Sequence, residues 1–369
     1  MTDSPTAASQ GSSVPQGIDP PPTSVPQGID PQKVGSWIAR TQGVEIADIG
    51  YEVLSVGRSN LTFVVTLAGS KRWVLRRPPL GHTGGSAHDV AREGRIMAAL
   101  DTTDVPVSHV IEIVDDPEVM GVPFVFMDFC AGFPINTAEE WGRIPTERQE
   151  ATAFGMVDTL AAIHSVDLDA VGLSDLRRPG SLLERQLRRW LSQFENITTR
   201  SIPEIAEVHR VLVDRQPPAD LSPTGIAHGD YKPNNMIFGP DGTVRAVVDW
   251  ELTAVGETLT DLGYFIAMLT VPDELTSIWV PRVSDGFPAA DALVARYGEV
   301  TGASAESLAQ VPYYSAFALW KLACIREGVY TRLLTGQMGD LDFDPEEAGA
   351  GVESLAQHAL TILEKETTR

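Results

Sequence analysis

Apolar and polar positions change their period along this chain. Tyr51–Val56, Leu61–Leu67 and Arg72–Arg76 are short stretches rich in β-branched and aromatic residues, bounded by turn formers. They predict three strands of a meander. Val110–Val114 and Pro123–Phe129 predict two more. Between them, Asp89–Leu100 carries Ile96, Met97 and Leu100 at helical spacing. Beyond Gly132 the period turns helical. Thr146-Glu-Arg-Gln149 has the form of a capping box, ahead of a face with Phe154, Val157, Ala161 and His164. His164 there suits a core histidine with a backbone partner. Leu183, Leu187, Trp190 and Phe194 form a second stripe. Tyr313, Tyr314, Phe317, Trp320, Cys324 and Tyr330 form a third, in one long helix. The pattern predicts an α+β chain with an antiparallel sheet and one helix first, and a larger, mainly helical part after it.

The stretch before this pattern differs. Residues 1–30 are rich in Pro, Ser, Thr, Gly and Gln, and Ser13–Pro20 returns as Ser24–Pro31. Two copies eleven residues apart are too few and too short for a solenoid, so a duplicated flexible leader is expected. Asp30-Pro31 suits an N-cap and first turn for a helix through Trp37 and Ile38. The expected divisions are 1–30 for the leader, 31–129 for a first lobe and 130–369 for a second.

Composition narrows the function classes. The chain has 369 residues, a formal net charge of −22 and 43% hydrophobic residues. So acidic a chain is a poor match for nucleic acid or an anionic membrane surface, which require clustered cations. The balance is compatible with a cationic small molecule, and a local basic pocket still allows an anionic one. Arg185, Arg188 and Arg189 form such a cluster. Two cysteines, Cys130 and Cys324, offer neither a disulfide scaffold nor a zinc spacing. The start lacks the basic and apolar regions of a signal peptide, and no run of about 18 apolar residues suggests a transmembrane helix. A cytoplasmic setting is expected.

The chemistry concentrates in His228-Gly-Asp-Tyr-Lys-Pro-Asn-Asn-Met-Ile-Phe238 and Val247-Val-Asp-Trp-Glu251. Met236–Phe238 and Val244–Val248 read as short strands joined by Pro240-Asp-Gly242. That hairpin places Asn235 and Asp249 at neighbouring strand ends. Phosphoryl transfer needs a carboxylate to orient the attacking hydroxyl and Mg²⁺ to neutralise phosphate charge. Mg²⁺ prefers hard oxygen ligands. These residue types assign Asp230 as base, Asn235 and Asp249 as metal ligands, and Lys232 as a cation near the moving phosphate.

His-Gly-Asp-x4-Asn followed by Asp-Trp-Glu resembles the aminoglycoside phosphotransferase and choline kinase group, relatives of protein kinases. The resemblance covers about residues 32–365 and is most specific near 228–263. It implies a bilobal protein-kinase-like fold, ATP and Mg²⁺. The turn Gly57-Arg-Ser-Asn60 would cover the nucleotide phosphates, with Ser59 and Asn60 as contacts. Kinase-like folds place a Lys on the third strand; Arg76 stands here, with Arg77 competing for the role and strand alternation admitting only one to the cleft. Glu93 would be its ion-pair partner. Backbone groups of Asp128, Phe129 and Cys130 would meet the adenine edge, with Cys130 a packed small residue. Gly81–Ser86 would be a mobile loop. Asp261 would brace the catalytic loop by accepting backbone hydrogen bonds, and His228 would brace it too.

Phe317–Arg332, Gly57–Leu61 and Leu75–Pro79 resemble the branch whose members can be fused to acyl-CoA dehydrogenase modules. The implied function is ATP-dependent transfer of the γ-phosphate to a hydroxyl. The acceptor stays open among aminoglycosides, amino alcohols, sugars and hydroxyacyl-CoAs. A nucleotide-binding module without catalysis is the competing class. It rests on the Arg at position 76, against an intact Asp230, Asn235 and Asp249.

Overall fold

A computed structural model of the protein describes residues 26–56, 60–80, 89–275, 279–336 and 345–366. The first ordered element, α1 (Pro31–Gln42), starts as the sequence predicts. Asp30 accepts from the amides of Gln32 and Lys33, and Pro31 stands in the first turn. Replacing Asp30 by Ala is expected to cost about 1 kcal/mol, read as a lower urea midpoint at unchanged slope. The residues ahead of the helix also pack. Ile29 is buried, and the Gly28 carbonyl accepts from Arg77 at 2.5 Å. The second repeat copy thus contributes to the core; the first lies outside the described residues.

Strands β1 (Ile49–Val56), β2 (Leu61–Leu67), β3 (Ser70–Arg77), β4 (Val110–Val114) and β5 (Phe124–Asp128) form one antiparallel sheet in the order β1-β2-β3-β5-β4. Period-two alternation splits β3 between two faces. Trp73 and Leu75 join Trp37, Phe124 and Phe126 under α1, with the Trp37 ring 5.3 and 5.2 Å from the two phenylalanine rings. Val74 faces the other way, under helix α2 (Val90–Leu100). Asp89 caps α2 by accepting from the Arg92 amide at 2.9 Å. The lobe therefore carries α1 and α2, one per sheet face, and the short α3 (Pro117–Met120). The predicted loop at 81–86 lies outside the described residues.

The remainder is mainly helical. It contains α4 (Ala138–Gly142), α5 (Thr146–His164), α6 (Leu182–Ile197) and α7 (Pro203–Asp214). Then come the paired β6 (Thr224–Ala227) and β9 (Ala254–Glu257), enclosing the hairpin β7 (Met236–Phe238) and β8 (Val244–Val247). Helices α8 (Leu259–Thr270), α9 (Ala290–Thr301), α10 (Ala305–Leu308), α11 (Val311–Leu334) and α12 (Pro345–Glu366) complete it. The expected capping box is not formed. Pro145 is the N-cap of α5, Thr146 is already its first helical residue, and Gln149 donates instead to the Ile144 carbonyl.

The stripe Leu183, Leu187, Trp190 and Phe194 is buried, as its spacing predicts. Gly263 lets α8 and α11 approach closely: a Cβ there would lie 2.4 Å from that of Tyr314. The larger apolar core does not stop at the lobe boundary. Val74, Val125, Met127 and the α2 residues Ile96, Met97 and Leu100 belong to the same cluster as Leu160, Tyr231 and Trp250.

Candidate active site

Strand β6 delivers the chain into the loop 228–235, which is fixed from below by α8. Asp261 accepts from the amides of His228 at 2.5 Å and Gly229 at 2.9 Å. Burial alone would raise its pKa, but contacts with His164, His228 and the Gly229 amide hold it low. Gly229 has φ +87, and a Cβ on it would lie 2.7 Å from the Leu252 carbonyl. Only glycine takes this backbone at this distance without strain. His228 is a brace as well. Its Nε2 faces the Val248 carbonyl at 3.0 Å, its Nδ1 accepts from the Asp230 amide, and its ring lies 4.7 Å from Trp250. These partners call for the neutral Nε2–H tautomer.

The Asp230 carboxylate is held by three donors. Tyr264 Oη donates to Oδ1 at 2.7 Å, Asn235 Nδ2 donates to Oδ2 at 2.8 Å, and Lys232 Nζ lies 3.0 Å from Oδ2. The Val248 amide donates to the Asn235 carbonyl at 2.9 Å, joining the ends of β7 and β8. Asn235 and the chain entering Asp249 are thus neighbours, as the hairpin requires. Asp249 adopts a left-handed backbone with φ 67.

Arg76 reaches this turn from the sheet. Its Nε donates to Glu93 Oε2 at 2.7 Å, its Nη2 to Asp249 Oδ1 at 2.7 Å, and its Nη1 to Thr62 Oγ1 at 3.3 Å. Burial would lower the Arg76 pKa, but Glu93 and Asp249 outweigh it. Glu93 is itself pushed up by burial, an effect Arg76 opposes. Glu93 also accepts from the Trp250 amide at 3.3 Å. A Lys has one compact ammonium and could not make this forked pair of contacts. Arg77 points away and bonds the carbonyls of Gly28 and Pro78.

The donor set suits Mg²⁺. The Asn235 amide nitrogen is already given to Asp230, to its carbonyl and to Oδ2, so the oxygen end is the one left for a cation. Asp249 has a second oxygen beyond the one Arg76 takes. Two hard oxygens are enough for an ion that keeps water and phosphate ligands. Among the described residues no group of three or more His, Cys, Asp or Glu could hold a metal.

The expected nucleotide contacts fare unevenly. Ser59 lies outside the described residues. Asn60 is buried, and among the described residues neither end of its amide has a hydrogen-bond partner. The Asp128 and Phe129 amides donate to the carbonyls of His109 and Arg72 at 2.9 and 3.0 Å. Those two N–H groups are therefore committed to the sheet, so a contact of the 128–130 backbone with an adenine edge falls to its other groups. Cys130 follows in the linker, half-buried, with burial raising its thiol pKa; it is a packed side chain.

Sequence reasoning missed several residues. Tyr264 stands three residues after Asp261, one turn along the same helix, so spacing could have found it. Lys321 interrupts the aromatic stripe of α11 and donates to the Gly229 carbonyl at 3.2 Å. His164 has side-chain partners where a backbone one was expected: Tyr297 Oη at 2.7 Å from Nδ1 and Asp261 Oδ2 at 3.5 Å from Nε2. Of the arginines on α6, Arg185 bonds the Arg178, Pro179, Gly180 and Val255 carbonyls and Arg188 pairs with Glu184.

Known proteins share this fold. The solved structure of a Ralstonia eutropha protein, provisionally assigned as an aminoglycoside phosphotransferase, superposes with a TM-score of 0.75 at 28% identity, covering 91% of this chain and 98% of that one. A choline kinase from Cryptosporidium parvum gives a TM-score of 0.62 at 12% identity, covering 91% and 96%, a likeness of fold alone. Acyl-CoA dehydrogenase family member 10 of Mus musculus is 33% identical over 318 residues, 85% of this chain and 29% of that protein. Family member 11 of Homo sapiens is 29% identical over 289 residues, 78% and 36%. The chain thus spans about a third of the length of these curated relatives. The acyl-CoA dehydrogenase branch named from Phe317–Arg332 is the one these relatives represent. Residues 50–302 match the description "Phosphotransferase enzyme family", and with a kinase-like fold around the Asp230 loop, the chain belongs to that family.

Proposed function

We propose that the protein transfers the γ-phosphate of ATP to a hydroxyl of a small-molecule acceptor. The carrying observation is the convergence of two groups at one cleft. One is Asp230 with its three donors; the other is Arg76 bridging Glu93 and Asp249. Asp230 orients the acceptor hydroxyl and takes its proton as oxygen attacks phosphorus and ADP departs. Lys232 offers a positive charge beside the phosphate in flight. Arg76, oriented by Glu93, positions the nucleotide phosphates together with Asn60 and Ser59, with the linker 128–130 beside the base. Asn235 and Asp249 are the residues that would hold Mg²⁺, whose bound charge would neutralise the phosphates.

Related structures support ATP as donor and a hydroxylated small molecule as acceptor. One aminoglycoside phosphotransferase of this fold is titled a complex with AMP-PNP and hygromycin B, at 13% identity and a TM-score of 0.56. Among the described residues no helix is long and apolar enough to cross a membrane. A binding module without catalysis would not need Asp230, Asn235 and Asp249 together.

The test is ADP release with Mg²⁺ against aminoglycosides, amino alcohols, sugars and hydroxyacyl-CoAs. Acceptor-dependent release that stops on chelation with EDTA is expected. Tight Mg-ATP binding with no turnover across the whole panel would count against a catalyst.

A further inference from the structure

One cation beside Asp230 has no part in the reaction just described. Lys321 of α11 lines a pocket with Leu182, Gln186, Gly229, Leu252 and Tyr264. Its Nζ lies 5.8 Å from the Trp190 ring centroid and 6.0 Å from that of Tyr264. Its hydrogen bond to a protein acceptor goes to the Gly229 carbonyl, one residue before the catalytic carboxylate. Tyr264, against which it lies, donates to Asp230 itself. No carboxylate forms an ion pair with Lys321 among the described residues.

An ammonium carries three donors. One carbonyl uses one of them, and aromatic faces attract the charge without accepting a full hydrogen bond. Among the described residues two N–H bonds are therefore left beside the Asp230 loop, and burial makes leaving them without an acceptor costly. The charges facing Lys321 come from three other parts of the structure. Asp230 and Lys232 belong to the catalytic loop, Asp261 to α8 and Arg189 to α6. Asp261 has both oxygens given to loop amides, and Asp230 is already held by three donors. The pocket wall thus presents a cation, Lys321, beside an Asp261 whose oxygens are already taken, although the whole chain is strongly acidic.

Resting on the phosphotransferase assignment above, we propose that Lys321 sets the charge selectivity of the acceptor pocket. Its spare donors hold an oxygen function next to the reacting hydroxyl, neutral or anionic, and its charge excludes acceptors that carry an ammonium there. Local geometry then overrides the net charge, which by itself would favour a cationic substrate.

The experiment compares the wild-type protein with Lys321→Met and Lys321→Arg on matched acceptors, polyols and hydroxy acids against their amino analogues. Wild type is expected to favour the oxygen-bearing member by about tenfold or more in kcat/KM. Lys321→Met should erase that preference by raising acceptor KM, with the KM for Mg-ATP and the melting midpoint little changed. Lys321→Arg should keep it. Equal use of both acceptor types by wild type, or a preference that survives Lys321→Met, would overturn the role of Lys321 while leaving the phosphotransferase assignment intact. Transfer to no acceptor at all would remove that assignment and the selectivity together.

Discussion

Asp230→Asn is expected to lower acceptor-dependent turnover by ~10³-fold while leaving Mg-ATP binding close to that of the wild-type protein. The substitution keeps the size of the side chain and removes its capacity to take a proton. It also replaces one carboxylate oxygen by an NH2 group. Tyr264 donates to Oδ1, while Asn235 and Lys232 meet Oδ2, and an amide has one oxygen to share among them. Whichever way it turns, at least one donor faces another donor. Some loss of loop order accompanies the loss of the base, so the melting midpoint should be measured beside the rate. Single-turnover phosphate transfer separates the two effects. A variant that transfers at wild-type rate would remove Asp230 from the chemistry.

The second large effect falls on stability. Arg76→Met strands Glu93, whose side chain is 3% exposed, without its cation. Breaking one side of a buried ion pair costs about 3 kcal/mol, and the Asp249 contact is lost too. Burial already raises the Glu93 pKa above its ordinary value of 4.5, and Arg76 works against that rise. A carboxyl group raised in the folded state lends stability below its unfolded value, and loses it as pH climbs through the folded one. Taking Arg76 away raises the folded value further. The deficit of the variant should therefore be largest at neutral pH and shrink as the carboxylate range is approached. Urea unfolding at those two pH values checks this; an equal deficit at both would contradict a stranded Glu93.

Sequence distance explains much of what could be read before the structure. Asp230, Asn235 and Asp249 lie within twenty residues joined by one hairpin, so local pairing rules already place Asn235 beside the end of β8. The two-residue period of a strand put Arg76 and Arg77 on opposite faces without saying which one meets the site; the contacts of Arg76 with Glu93 and Asp249 decide it. Glu93 is 17 residues from Arg76, and only resemblance linked them. Lys321 is 92 residues from Gly229 and Tyr297 is 133 from His164. Such contacts depend on how helices pack, which no local period encodes. The α5 capping box failed for a local reason: the helix begins one residue before the expected position, with Pro145 as its N-cap and Thr146 already inside it. That the sheet takes up the Asp128 and Phe129 amides depends on strand pairing, which no local period encodes.

The core that passes from the α2 face of the sheet into the helical region bears on how such proteins can be recombined. Val74, Val125, Met127, Ile96, Met97 and Leu100 are packed in one cluster with Leu160, Tyr231 and Trp250. A cut at residue 129 divides the sequence without dividing that cluster. A chimera that takes the first lobe from a relative would inherit a sheet face and an α2 surface shaped by different partners. Matching the linker alone would leave that seam full of steric mismatches; the two lobes have to be exchanged as co-adapted surfaces.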